Sequence, residues 1–535
     1  MNPTRPNFIL FITDQHRADH LSCYGNPVLR TPHIDSLAAC GTRFDRFYVA
    51  TPICMPNRAT LMTGRMPSLH GARQNGIPLS LNATTFVDLL AAAGYRTALI
   101  GKSHLQSMSP AAPKIGMPEA DLSLAQPPEG LREAARTSSP HARYDQELAS
   151  NWADPNHGLT LPYYGFQHVE LCVHHGDKVV GHYSRWLAER RPDWQRLRGR
   201  DNQLPGNHYA CPQAWRTAVP AELYPTAYVA ERAEAYLEAH AATAGAEPFF
   251  LQCAFPDPHH PFTPPGRYWD LYDPKDIALP RSFHPKNHAL PAGLAHILRE
   301  RDEGRANRDG QRVIAITERE AREATALTYG MIAMIDDAVG RVLAALARTG
   351  LAENTVLIFT ADHGDLMGDH QLLLKGALHY GGLVRVPFVW ADPSETVRRE
   401  TSDALCGTID IARTILSRAA IAAFNGMQGR SLLPAMSGDA EVHDAMLIEE
   451  HQRRGYMGMP NNFRARSLIT RRHRLTIYEG LAQGELYDLG SDRDEMENLW
   501  DSPQHRGLRH GLMEQLVRKM MSLMDSSPLA THHGP

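Results

Sequence analysis

The chain has 535 residues, 43% of them hydrophobic, enough for a large core and for several domains or one large domain with a smaller companion. The 55 basic and 59 acidic residues leave a formal net charge of −4, which argues against nucleic acid as a partner while allowing a local basic pocket for one small anion. The N-terminal apolar run is too short for a signal peptide, and no later run is long enough to span a membrane. The seven cysteines (23, 40, 54, 172, 211, 253 and 406) are scattered without a C-x-x-C pair, which predicts a reduced, cytoplasmic protein without disulfides.

In chain order, "NFILFIT" (7–13) reads as a buried strand, "TTFVDLLAAAGY" (84–95) as a helix and "RTALIGK" (96–102) as a second strand. Between about 105 and 245 the pattern weakens into an insertion rich in Pro, Gly, Ser and His, of a length more often functional than idle. "PFFLQCAF" (248–255) is the next strand. A helix over 323–350 with Gly350 as its C-cap and the strand "NTVLIFTAD" (354–362) follow. This alternation predicts an α/β fold with a large, mostly parallel sheet, whose ligands bind beyond the carboxyl ends of the strands. After "GRSLLPAMSGD" (429–439) the texture changes to "AMLIEE", "RSLITR", "RLTIYE" and "ELYDL", a small antiparallel sheet, closed by a helix over about 503–525. We place the catalytic domain at 1–438 and a C-terminal α+β subdomain with a tail at 439–535.

The strand ends carry the first chemical signal. "NFILFIT" delivers Asp14 and Gln15, and "VLIFTADHGD" delivers Asp362 and His363. Either acid alone could as well cap a helix or make an ion pair. Two carboxylates, an amide and an imidazole at one sheet edge could make a divalent-cation site, for which the imidazole favours Mn²⁺ or Zn²⁺ over Ca²⁺. The second signal is Cys54 in "CMPNRATLMTGR", at a helix N-terminus with Pro56 and Arg58 in the first turn. A lone Cys is usually a small buried hydrophobe. At this place it could also be a thiolate nucleophile, since the helix N-terminus and Arg58 both lower its pKa.

C-x-P-x-R followed by T-G-R resembles the signature of the sulfatase family within the alkaline phosphatase superfamily. The resemblance runs collinearly through "NFILFITDQHRADHLSCYGN", "TPHIDSLAACGTRFDRFY", "GKSHL", "PDPHHPF", "IDDAVGRVL", "FTADHGDLMGDHQLLLKG", "VRVPFVW" and "GELYDLGSDRDEMENL". It implies an alkaline phosphatase-like sheet sandwiched by helices and a Cys54 oxidised to formylglycine, whose hydrate attacks sulfur and later expels sulfate by C–O cleavage. It further implies Asp14, Gln15, Asp362 and His363 as ligands of one divalent ion, with residue 54 completing the shell. Arg58 then orients the nucleophile, Lys102 and His104 contact the transferring group, His104 serving as base, His259 faces the substrate and Lys375 neutralises the ester oxygens and leaving group. Asp14-Gln15, where most sulfatases have Asp-Asp, and Asn75 in "RQNG" resemble the branch of phosphonate monoester hydrolases and phosphodiesterases, whereas "GKSHL" is the sulfatase version.

The expected activity is hydrolysis of aryl or small alkyl sulfate monoesters, with secondary action on phosphonate monoesters and phosphodiesters. The reverse ranking, a thiol enzyme and an inactive anion-binding fold are the rivals. Asn75 and His175 are assigned to the substrate pocket; His168, His174 and His182 crowd the same insertion, where the ordinary reading is loop-bonded histidines. The other six cysteines are expected to be buried spectators. Expected partners are a small sulfate or phosphonate ester, a formylglycine-generating enzyme transiently, and other copies of the chain in a dimer or tetramer.

Overall fold

The computed structural model describes residues 5–109, 142–243, 247–284, 290–395, 398–438, 440–452, 459, 463–527 and 529. Most of the Pro-, Gly- and Ser-rich stretch at 106–130 therefore lies outside the described residues. A nine-stranded mixed sheet forms the centre. Its strands are β1 (Asn7–Thr13), β2 (Thr42–Phe44), β3 (Arg96–Gly101), β4 (His168–Val173), β5 (Val180–Gly181), β6 (Phe249–Ala254), β7 (Thr355–Ala361), β8 (Phe388–Ala391) and β9 (Thr401–Ser402). Their spatial order is β9-β2-β8-β7-β1-β6-β3-β4-β5. The run β7-β1-β6-β3-β4 is parallel, and β8 and β5 are antiparallel to their neighbours in it. Burial on both faces is why the parallel strands read as continuous apolar runs.

Helices cover both faces: α1 (Pro32–Cys40), α2 (Cys54–Thr63), α3 (Pro67–His70), α4 (Phe86–Ala92), α5 (His182–Arg190), α6 (Pro225–Ala242) and α7 (Glu318–Arg348). Alternate residues of β1 divide between them. Phe8, Leu10 and Ile12 share a core with Leu61 and Met62 of α2 and Phe86 and Leu90 of α4. Ile9 and Phe11 share the other with Ile34 of α1, Val229 and Leu237 of α6, and Ile332, Ile335 and Val339 of α7. α7 begins earlier than its apolar period suggests, because Thr317 and Glu320 form a capping box ahead of it. At its other end Gly350 has φ 72°, the left-handed conformation expected just past a helix.

The insertion holds more regular structure than its composition suggests. "HVELCV" is β4, which extends the parallel sheet beside β3, and α6 packs on α7. The strand was masked by flanking His and Gly. The C-terminal part matches the expectation: β10 (Met446–Gln452), β11 (Phe463–Ile469), β12 (His473–Tyr478) and β13 (Glu485–Asp488) form an antiparallel sheet in chain order, with α8 (Arg506–Ser522) against it. Its Leu447, Ile448, Leu468 and Leu475 belong to the same buried cluster as Phe8 and Leu10 of β1. None of the described helices is long and apolar enough to cross a membrane.

Candidate active site

Five parallel strands end at one edge, and each is followed by a residue of the site. β1 runs into Asp14 and Gln15, β3 into Lys102, β4 into His174 and His175, β6 into Asp257, His259 and His260, and β7 into Asp362 and His363. The backbone stays paired just past the strands, with Asp362 N–H donating to Thr13 C=O (3.0 Å) and Lys102 N–H to Ala254 C=O (2.8 Å). At Gly101, φ is 112° and a Cβ would lie 1.9 Å from Ala254 O, so only glycine lets β3 leave β6 at this point.

Cys54 opens α2, whose N-terminus aims at these strand ends, and it is only 1% exposed. The structure brings the side-chain donors of Asp14, Cys54, Asp362 and His363 within 4.8 Å of one another. Arg58, one turn along, donates Nε to Asp362 Oδ2 (2.7 Å) and Nη1 to Lys102 C=O (2.9 Å), with Nη2 3.6 Å from Asp14 Oδ2. Lys102 Nζ is hydrogen-bonded to that same Asp14 oxygen. One oxygen of each acid is thus held by a cation, while Asp14 Oδ1 and Asp362 Oδ1 lie 3.6 and 3.8 Å from His363 Nε2.

These residues fit a divalent ion on two counts. His363 Nδ1 lies 2.8 Å from Gly364 C=O, which places the proton there and leaves the Nε2 lone pair facing the carboxylates. Gln15 has a left-handed backbone (φ 61°), its Nε2 lies 3.1 Å from His260 Nδ1 and 2.5 Å from Asp365 Oδ2, and its buried Oε1 has no partner. A buried amide oxygen without a donor is costly unless something positive meets it.

Lys375, in the loop after β7, places Nζ 2.8 Å from Cys54 Sγ, 2.9 Å from His363 Nε2 and 3.1 Å from His259 Nε2. Three imidazoles stack into a column, His175 on His259 (3.6 Å between centroids) and His259 on His260 (4.0 Å). Each turns its edge to a different group: His175 Nε2 to Lys102 Nζ (2.6 Å), His259 to Lys375 and His260 to Gln15. His259 Nδ1 lies 2.5 Å from its neighbour's carbonyl, which leaves Nε2 free to accept from Lys375. His104 is buried with φ 57°, and its Nδ1 has no partner.

Burial alone would raise the pKa of Asp14, yet the Lys102 ammonium beside it, with Arg58, holds it well below the carboxylate range. Burial, then the neighbouring cations, keep His104, His175 and His259 well below the usual imidazole value, so all three are neutral at pH 7. For the Cys54 thiol, burial and Asp14 push upward, but Lys375, His363 and Lys102 win and lower it. The cation nearest its sulfur is therefore Lys375, whereas Arg58, expected to do this, is committed to the carboxylates.

Other expectations separate. Asn75 is exposed, and its Oδ1 accepts the Met55 N–H (3.2 Å) at the first turn of α2. Of His168, His174, His175 and His182, only His175 enters the cluster. His168 is exposed beside Glu170, His182 Nδ1 accepts the Leu171 N–H, and His174 is half-buried with burial pushing its pKa down to about 4. All seven thiols are free, but Cys40 is exposed and Cys23 half-buried, a correction to the expectation that all six others are buried. Sequence reasoning missed Asn57, which donates to Asp362 C=O (2.5 Å), and Asp365, which holds the Gln15 amide. Both lie inside the quoted motifs, but only the fold reveals their partners.

Comparison with known proteins agrees with this geometry. Residues 6–421 match the family model described as Sulfatase, and residues 368–522 match that of the N-sulphoglucosamine sulphohydrolase C-terminal region. An arylsulfatase of Clostridium perfringens is 26% identical over 530 residues, covering 96% of this chain and 94% of the relative. A multifunctional alkaline phosphatase superfamily protein, PehA, of Trinickia caryophylli is 29% identical over 450 residues, covering 81% and 77%. Among solved structures, a phosphonate monoester hydrolase of Agrobacterium radiobacter superimposes with a TM-score of 0.76 at 24% identity, covering 98% of this chain and 97% of that one, and shares the fold. With the family model spanning most of the chain and the strand-end constellation in place, the chain belongs to the sulfatase family of the alkaline phosphatase superfamily and is a sulfuric ester hydrolase.

Proposed function

We propose that the protein hydrolyses sulfate monoesters of aryl or small alkyl alcohols, with residue 54 converted from cysteine to formylglycine and one divalent ion held by Asp14, Gln15, Asp362 and His363. The observation that carries this reading is the convergence of Arg58, Lys102 and Lys375 with two carboxylates around one buried residue at a helix N-terminus. The thiol stands where the hydroxyls of the hydrated aldehyde would be; these supply the nucleophile, and the ion, of which Mn²⁺ or Zn²⁺ suits the donor set, supplies Lewis acidity.

The chain's own residues do the rest. Arg58 clamps both carboxylates and fixes the first turn of α2, which orients residue 54. Lys102 and Lys375 supply fixed positive charge for the sulfonate oxygens in a site sealed from water, where pre-placed charge contributes most of the rate. His104, buried and neutral, takes up the proton released at residue 54. His259 is neutral with Nε2 turned to Lys375, so the pair can carry a proton to the departing alcohol. His175 braces Lys102, and Asn75 holds the first turn of α2 through the Met55 N–H.

A second reading exchanges the ranking of substrates, with phosphonate monoesters or phosphodiesters first. Gln15 beside Asp14 and the likeness to a phosphonate monoester hydrolase favour it. Against it stands "GKSHL", whose Lys102 and His104 resemble the sulfatase version of this segment. A cytoplasmic setting, an oligomer and a transient encounter with a formylglycine-generating enzyme complete the proposal.

Two measurements test it. Mass spectrometry of the tryptic peptide Phe47–Arg58, from protein made alongside the modifying enzyme, should show the aldehyde at residue 54; a thiol throughout removes the nucleophile. Turnover of one aryl alcohol as its sulfate and as its phosphonate ester should favour the sulfate, and an excess of phosphonate turnover by orders of magnitude reverses the ranking.

A further inference from the structure

Glu147 lies in the insertion, within no motif, and is fully buried. Its Oε2 accepts the backbone N–H of His104 (2.7 Å), and its Oε1 accepts those of Leu105 (3.0 Å) and Gln106 (3.1 Å) and the Tyr163 hydroxyl (2.5 Å). These amides follow the point where the chain leaves β3 and turns through the left-handed His104, so no strand or helix partner is available to them. Left unpaired in the interior, each would be destabilising. The same segment adds Gln146 N–H to Gln106 Oε1 (3.1 Å), while Gln106 Nε2 donates to Arg143 C=O (2.7 Å). On the opposite side Arg58 holds the Lys102 carbonyl.

We propose that Glu147 is a positioning residue for the hydrolysis: it fixes the turn carrying Lys102 and His104 and thereby ties the substrate-shaping insertion to the reacting groups. The proposal rests on the roles given above to those two residues. The three backbone amides and the Tyr163 hydroxyl bonded to the carboxylate are all donors, and the Ser103 hydroxyl faces it as well, so a carboxylate is required. A glutamine would turn its own N–H₂ against at least one of them, and an aspartate is one methylene short of spanning them all.

The test uses full-length protein carrying the modified residue 54, with 4-nitrophenyl sulfate as substrate. For Glu147→Gln, kcat should fall about 100-fold with a smaller change in KM, and the aldehyde and metal contents should match the parent. Glu147→Asp should fall between the two. Tyr163→Phe, which removes one donor, should lose roughly three- to tenfold and carries the test if Glu147→Gln is not obtained folded. Added to His104→Ala, Glu147→Gln should cost clearly less than its own full factor, because the part of its effect that runs through His104 is already lost while the part through Lys102 remains. Hydrogen exchange at residues 104–106 should accelerate about tenfold or more, a reading that needs no turnover. A kcat within threefold of the parent, a full further loss in the His104→Ala background, or unchanged exchange would each overturn the proposal. A parent protein inactive on sulfate and phosphonate alike would overturn the function proposed above, while the exchange measurement would still judge Glu147.

Discussion

Two side chains at the centre make separable predictions. Gln15 Oε1 is buried and unpartnered while its amide nitrogen is anchored by His260 and Asp365. Gln15→Ala should therefore leave the fold intact and weaken divalent-metal binding by about tenfold or more, read as metal per chain by elemental analysis after dialysis against a weak chelator. Full retention of metal would show that the amide oxygen is not a ligand. Lys375 bridges Cys54, His363 and His259, so Lys375→Ala should lower kcat by about 10²- to 10³-fold. A change confined to KM would mean that the lysine only binds substrate.

At the scale of elements, α2 is held in place from behind by α3. His70 Nδ1 accepts the Ala72 N–H (3.2 Å), so the proton sits on Nε2, facing Thr60 Oγ1 of α2 (3.0 Å). Burial, with Arg65 adding, pushes the His70 pKa down to about 3. Since the folded value lies below the unfolded 6.5, this contribution to stability is complete above pH 6.5 and is lost progressively as pH falls toward 3. At pH 5 the loss is about 2 kcal/mol. His70→Asn keeps an acceptor for Ala72 and cannot become charged, so its melting temperature should fall less steeply than the parent's between pH 7 and pH 5. Parallel slopes would assign the acid sensitivity to other groups. The same element scale explains why the strand ends meet: parallel pairing puts Thr13 opposite Ala361 and Gly101 opposite Ala254, so the residues that follow emerge together.

In the whole molecule, the C-terminal sheet grips the loop that carries Lys375. His379 Nε2 meets Glu450 Oε2 of β10 and its Nδ1 meets Ser467 Oγ of β11, both at 2.7 Å. Tyr478 of β12 donates to Ala377 C=O (3.0 Å), and Glu495 accepts the Gly381 N–H (2.6 Å). Glu450→Ala would leave the buried His379 Nε2 without its partner. It should cost about 1–3 kcal/mol in denaturant unfolding and should also lower kcat, although the site of substitution lies outside the strand-end cluster. Stability lost with kcat unchanged would mean that the grip is not felt at Lys375.

Legible in the sequence alone were β1, β3, β6 and β7, the α/β class, the C-terminal sheet with its helix, and the charged and candidate ligand residues that follow the strands. Apolar runs, caps and motifs are local properties, and "CMPNR", "GKSHL" and "DHGD" are legible one residue at a time. β4 escaped because its neighbours are His- and Gly-rich, and Glu147 because a lone glutamate carries no local signal until four donors from distant segments surround it. Which of His168, His174, His175 and His182 joins the centre, which cations surround residue 54 and which atom of the Gln15 amide is left without a partner were settled by the fold. Those are matters of distance between chain segments up to hundreds of residues apart, and the sheet order fixes them.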